Sequence, residues 1–356
     1  MTTIDHSRFS EALDRLGAMM TGAHVAGMVA LGLRLGLYQA MDGAGPLTSD
    51  ELAAKVGMHE RWVREWLFGQ AAAGVVDHAG DERFVLSPEV AALLADPDSL
   101  FYLGGNFVAL PNRLGLLPRL EDAFRSGRGL SFDERGPEAA EDTERIFGNW
   151  YRHLLVPVAL PMLDGVVDRL HAGANVADVG CGSGVALVEM AKAFPSSAFH
   201  GYELSAHAIE RAEAHRTEAG VDNVTFHHVD THPLPADASF DLVCTFDCLH
   251  DMTHPEEAAA AVRRALRDDG TWFIADIRCA PTFEGNLERA QLAAMMYSMS
   301  VYSCMSSALA HPDGAGLGTC GLPEPAMRDL VTRAGFGSFR VVPLDHPVNA
   351  FYEARP

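Results

Sequence analysis

Two different rhythms of apolar residues run along the chain. Through the first hundred residues apolar side chains recur at helical spacing. Leu13, Leu16, Met19 and Met20 open a face, and Leu31, Leu33, Leu35 and Leu37 continue it. The weakly polar run 16–33 contains Thr21, His24 and four glycines, is short for a membrane span and has no flanking positive cluster; it predicts a buried helix. Thr48 with Glu51 three residues on is a capping-box pattern, with Ser49 as a competing cap, and predicts a helix ending near Gly57. A second helix carries Trp62, Val63, Trp66, Leu67, Ala71 and Val75 at helical intervals. Residues 75–86 place two apolar strand ends around a polar turn containing Gly80, as a hairpin does. Helix, turn, helix, hairpin is the order of a winged helix.

Residues 127–142 are charged and punctuated by Gly and Pro, which predicts a loop, and 150–170 returns to a helical pattern interrupted by Pro157 and Pro161. The second rhythm then begins. Strand-like runs at 176–179, 198–202, 224–228, 242–246 and 271–277 alternate with helical stretches at 186–194, 206–219 and 256–266. Such alternation predicts an α/β fold, a Rossmann-like, mostly parallel sheet with helices on both faces. The tail adds a helical stretch at 327–334 and strand-like runs at 339–344 and 350–354, a hairpin for the sheet edge that brings the count to seven strands. The expected organisation is a winged-helix-like domain over 1–100, a helical linker over 101–172 and a ligand-binding domain over 173–356.

Composition narrows the partners. With 356 residues and 48% apolar residues, the chain can bury two ordinary cores. Its formal net charge of −21 repels phosphate backbones and anionic lipid, which argues against nucleic acid and membrane as partners. Within 46–90 eight acidic residues face four basic ones, whereas a DNA reader carries a basic face. The module is therefore expected to mediate dimerisation or to cover a substrate site. A DNA-binding regulator with a cofactor-sensing second domain is the alternative that this charge disfavours. The first fifteen residues carry five charged ones and no apolar run, so no export signal is read, and the six cysteines are expected to be free thiols in a reducing cytoplasm.

The strongest motif is Val176-Ala177-Asp178-Val179-Gly180-Cys181-Gly182-Ser183-Gly184, which follows a strand and opens a helix. Glycines there let the backbone turn tightly and approach a ligand. A dinucleotide loop has its third glycine one place later, and Asp178 would repel a pyrophosphate. Beside a cationic ligand the same carboxylate is attractive, which disfavours a nicotinamide oxidoreductase. Glu203 ends the second strand 19 residues after Gly184, where an acid can accept both ribose hydroxyls, and Asp230 follows the third strand, placed to accept an exocyclic amine.

A glycine loop with these three acids in order resembles the class I S-adenosylmethionine-dependent methyltransferases, closely over 173–277. The resemblance implies that Asp178 and the loop residues Gly180, Cys181, Gly182 and Gly184 hold the methionine part of the cofactor. It implies that Glu203 binds ribose, that Leu204 packs on adenine, and that Asp230 and Thr231 face the adenine edge. Phe246 and Asp247, at the end of the fourth strand, belong to the same side of the site. The N-terminal module resembles that of bacterial two-domain small-molecule methyltransferases. It implies a homodimer and a small-molecule methyl acceptor, with an aromatic or lipophilic oxygen nucleophile favoured over nitrogen or carbon.

After the fourth strand, Asp247-Cys248-Leu249-His250-Asp251 stands where such a fold puts its acceptor. A protonated nucleophile such as a phenol needs a base, and His250, with Asp251 or Asp247 to orient it, is the candidate; its other reading is a pocket wall. Tyr151 and His153, and the stripe of Met295, Met299 and Tyr302, are candidates for the substrate wall. His227 and His228 face opposite ways on a strand, and Cys244 and Cys248 lack further ligands in pattern, so no metal is expected.

Overall fold

The computed structural model describes residues 4–356, and its contacts divide the chain into two compact units, Met1–Leu114 and Gly115–Pro356. In the first, helix α1 (His6–Arg34) leads through the short helix Leu37–Met41 to α2 (Ser49–Val56) and α3 (Glu60–Ala72). The capping box forms as expected. Thr48 accepts from the Glu51 backbone while the Glu51 carboxylate accepts from Thr48, and Gly57 closes α2 in the left-handed conformation. β1 (Asp77–Gly80) and β2 (Arg83–Val85) pair antiparallel around Asp81 and Glu82, both at positive φ, as the tightest hairpin turn requires.

The run 16–33 does not form a buried helix. Only Val29, Ala30, Gly32 and Leu33 are buried in α1, where the missing Gly32 side chain admits the Trp66 ring and Trp66 Nε1 donates to the Met28 carbonyl at 3.0 Å. Farther up the helix Phe9, Leu13, Leu16 and Met20 form one exposed apolar face, with Leu16 and Met20 each 62% exposed. By length and composition α1 is also apolar enough to cross a bilayer, although Arg8, Glu11, Asp14 and Arg15 interrupt its first turns.

The second unit opens with helices, then winds a single sheet. The expected loop over 127–142 ends early, because 138–142 already belongs to α4 (Glu138–Trp150). A π-helical segment, Tyr151–Ala159, follows; Pro157 lacks the N–H that regular helical bonding needs there. The sheet strands are β3 (Asn175–Val179), β4 (Ala198–Glu203), β5 (Val224–His228), β6 (Phe240–Phe246), β7 (Leu266–Ile277), β8 (Ser338–Val342) and β9 (Asn349–Arg355). Between them lie α5 (Val185–Ala193), α6 (Ala206–Ala219), α7 (Pro255–Ala265), α8 (Ala290–Tyr302) and α9 (Glu324–Arg333). Their spatial order is β5-β4-β3-β6-β7-β9-β8, parallel through β7, with β9 antiparallel to β7 and β8 antiparallel to β9.

Successive strand residues feed two separate cores, one on each face. Val176, Phe273 and Phe351 pack with Leu187, Met190 and Phe199, while Ala177, Trp272, Ile274 and Tyr352 pack with Val243, Leu330 and Val331. The chain leaves β3 for β4 and β5, then returns to β6 on the other side of β3. The crevice at the carboxyl ends of β3 and β6 is thus the switch point where such sheets bind ligands.

In the first unit the buried Tyr38 hydroxyl donates to Gln70 Oε1 at 2.6 Å. Tyr38→Phe should leave that oxygen buried and unpaired and lower stability by about 1–3 kcal/mol in chemical denaturation; an unchanged midpoint would show that the bond contributes nothing net.

Candidate active site

At the carboxyl end of β3 the loop turns through Gly180, Gly182 and Gly184, all in the left-handed region, with φ of 74°, 53° and 73°. Sterics demand glycine twice. A Cβ on Gly180 would meet Cys248 at 2.9 Å, and one on Gly184 would meet the Phe226 ring at 2.5 Å. Cys181 is buried beneath the turn, which pushes its thiol pKa up. Glu203, at the end of β4, takes the Gly182 N–H at 2.8 Å on one oxygen and the Leu204 and Ser205 N–H groups at 2.8 and 2.9 Å on the other. Burial still pushes its pKa up. Asp178 is almost fully buried and its Oδ1 has no hydrogen-bond partner; burial first, then the Glu203 charge, drives its pKa well upward. Leu204 is exposed, and Asp230 and Thr231 lie in an exposed turn just beyond β5, on the same sheet edge.

Across the switch point Phe246 is buried edge-on to Trp150 at 5.5 Å. Asp247 follows at φ 54°, a strained conformation for a residue with a side chain, and its Oδ1 accepts from the Asn349 amide on β9. Its Oδ2 is buried without a partner, and burial, helped by Asp276, raises its pKa to about 7.

His250 is buried beside this turn, and its partner differs from the expectation. Neither Asp251 nor Asp247 orients it. Its Nδ1 lies 2.7 Å from Oδ1 of Asp276, near the end of β7, which also accepts the Ile277 N–H at 2.7 Å. Strand geometry decides this. β7 runs parallel beside β6, so its carboxyl end reaches the turn after β6. Burial favours the neutral ring, but the Asp276 charge and hydrogen bond, with Cys304 on the same ring, win and hold the His250 pKa well above its usual value. Asp251 is raised to about 6 by burial, opposed by His250 and Arg135. A carboxylate on Nδ1 fixes the N–H there and leaves Nε2 to exchange a proton.

Among the substrate-side candidates only Tyr151 joins this group. Its phenol pKa is raised well upward by burial and by the Asp247 and Asp178 charges, and its ring lies 5.7 Å from Phe246. His153, two residues on in the π-helical turn, is exposed. On α8 the buried face is Ala293, Met296 and Ser300; Met295 is 48% exposed and Met299 and Tyr302 are half-buried. Asp276, Cys304 and Asn349 escaped the sequence reading. Asp276 obeys the strand-end rule that singles out Asp178 and Glu203, but it sits inside an apolar strand run.

Asp276→Asn should lower the His250 pKa. In a proton NMR titration the His250 ring should change charge above pH 6.5 in the parent and at lower pH in the variant; equal midpoints would reject Asp276 as its stabilising partner.

Residues 170–320 match the model of a methyltransferase domain, and residues 23–96 that of an Rv2258c-like winged HTH domain. The 27-O-demethylrifamycin SV methyltransferase of Amycolatopsis mediterranei strain S699 is 33% identical over 127 residues, which covers 34% of this chain and 46% of that protein. The chain spans about half the length of the curated relatives it matches. Across whole chains the fold resembles the mitomycin 7-O-methyltransferase MmcR, with a TM-score of 0.65 at 20% identity, covering 99% of this chain and 100% of that one. It also resembles human N-acetylserotonin methyltransferase solved with S-adenosylmethionine, with a TM-score of 0.66 at 16% identity, covering 100% and 99%. The chain thus carries a winged HTH domain followed by a methyltransferase domain, whose seven-stranded sheet has a glycine turn at its switch point.

Proposed function

We propose that this protein transfers a methyl group from S-adenosylmethionine to a hydroxyl oxygen of a small aromatic or lipophilic molecule and releases S-adenosylhomocysteine. The observation that carries the reading is the orphaned, buried Oδ1 of Asp178 beside an open glycine turn. An acceptor-only carboxylate in that setting suits a cationic ligand. No Cβ neighbour crowds Gly182, so backbone can approach a ligand there. Asp178 and the glycine loop would hold the amino-acid end, Glu203 the ribose, and Leu204, Asp230 and Thr231 the adenine. When bound, the cofactor supplies an electrophilic methyl group on a sulfonium.

The chain's own work is then to position the acceptor and take its proton. Tyr151 and Phe246 offer an aromatic wall beside Asp247. Neutral His250 accepts the hydroxyl proton at Nε2 as the oxygen attacks, and the Asp276 carboxyl at Nδ1 steadies the imidazolium that forms. Because the ring's pKa is raised, the base-competent fraction grows as pH climbs through that raised value. A cation bound in the same pocket favours the neutral ring. Oxygen is preferred to nitrogen or carbon as acceptor because a hydroxyl uses such a base.

The exposed apolar face of α1 supports pairing with a second copy, since a patch of this size on a helix wants cover. The six cysteines, all free, are compatible with a reducing cytoplasm.

Calorimetric titration should show micromolar binding of S-adenosylhomocysteine to the parent and none to Asp178→Ala; equal affinity in both would remove Asp178 from the site. His250→Gln should keep that affinity and lower turnover of a phenolic acceptor about 100-fold or more. Parent turnover should rise with pH and level off above the His250 pKa, and a flat profile would return His250 to the pocket wall. In sedimentation, the paired change Leu13→Glu and Leu16→Glu should convert a dimer to a monomer; a persisting dimer would move the interface off α1.

A further inference from the structure

The glycine loop is held from a second side by a histidine that the proposed chemistry does not use. His215, on α6, places Nδ1 2.8 Å from the Ser183 carbonyl, between Gly182 and Gly184, and Nε2 3.1 Å from Oε1 of Glu144 on α4. Both partners are acceptors only. A neutral imidazole owns one N–H, so holding both contacts as hydrogen bonds requires the doubly protonated ring. Glu144 is itself ionised. Burial opposes its charge, but the bonds from His215 and Arg211 outweigh that and hold its pKa at about 2.

We infer that His215, kept cationic by Glu144, is a positioning residue that clamps the glycine loop through the Ser183 carbonyl, so that the loop's affinity for an adenosyl ligand falls as rising pH removes the second ring proton. The inference rests on the reading that this loop binds the cofactor. Three left-handed glycines make the loop costly to order, and an external tether offsets part of that cost. The charges acting on the ring are Glu144 from α4, which favours the cation, and Arg211 from its own helix, which opposes it; the loop presents only a carbonyl. Arg152, in the π-helical segment, reaches Glu144 at 3.8 Å. The net direction for His215 is upward, chiefly through the Glu144 hydrogen bond. A raised folded-state pKa means that the clamp is complete at low pH and is lost as pH climbs through that raised value.

The test has two independent readouts, with melting temperature recorded for every variant. The first is the His215 ring titration by NMR in ligand-free protein, assigned by its loss in His215→Phe. It should lie above pH 6.5 and move lower in Glu144→Gln; a midpoint at or below 6.5 in the parent overturns the clamp. The second is calorimetric affinity for S-adenosylhomocysteine from pH 6 to 9. Parent affinity should weaken roughly fivefold or more across the His215 titration. His215→Phe should bind weakly throughout, with that pH step gone. His215→Lys, a cation that does not titrate in this range, should restore tight binding and keep it at high pH. Equal affinity at pH 6 in the parent and His215→Phe, with the same pH profile, overturns the proposal. A parent that binds no S-adenosylhomocysteine at any pH, while His215 still titrates high, removes the cofactor reading and the ligand-linked role with it.

Discussion

The contact on which the site depends is the one between two adjacent turns, the glycine turn after β3 and the turn after β6. Cys248 donates its thiol to the Val179 carbonyl at 3.1 Å, and its Cβ stands where a Gly180 side chain would be. Parallel strands that are neighbours in space but distant in sequence must bring their carboxyl ends this close at a switch point. Everything chemical follows from that approach. Asp178 stands on β3 just before one turn, Asp247 and His250 come from the other, and Asp276 from the next strand over. Widening the gap by one methyl group would move Asp178 and Glu203 away from His250.

Electrostatics gives the pocket its character. Asp178, Asp247, Asp251, Asp276 and Glu203 gather in one crevice, and burial drives four of them upward: Asp178, Glu203, Asp247 to about 7 and Asp251 to about 6. Such crowding is unfavourable for an empty protein. A bound cation offsets it, as protonation of His250 does. Orphaned oxygens on Asp178, Asp247 and Asp276 tell the same story in hydrogen-bond terms, since each is a buried acceptor with capacity left over.

Much of this was legible along the chain because its signals are local. The Thr48–Glu51 capping box, the polar turn after β1 and the glycine turn after Val179 each depend on residues within a few positions of one another, and each stands where the spacing puts it. The misses are non-local. Asp276 serves His250 because β7 lies beside β6, a pairing that no spacing reveals. Apolar periodicity says that a face wants cover, not whether this chain supplies it, and so the exposed half of α1 read as core. Periodicity also leaves open which side of α8 is buried. α8 is apolar nearly all round, and its buried side proved to be the one carrying Met296.

The order of the strands also governs when the pocket can exist. β8 touches the sheet only through β9, which inserts between it and β7, and β9 carries the Asn349 amide that pins Asp247. A chain emerging from the ribosome therefore presents β3 to β7 and all the acids well before the strand that steadies one of them. β8 must meanwhile wait without a partner. Assembly of the pocket in this sense waits for β9, and a half-made chain has the acids without the strand that steadies Asp247.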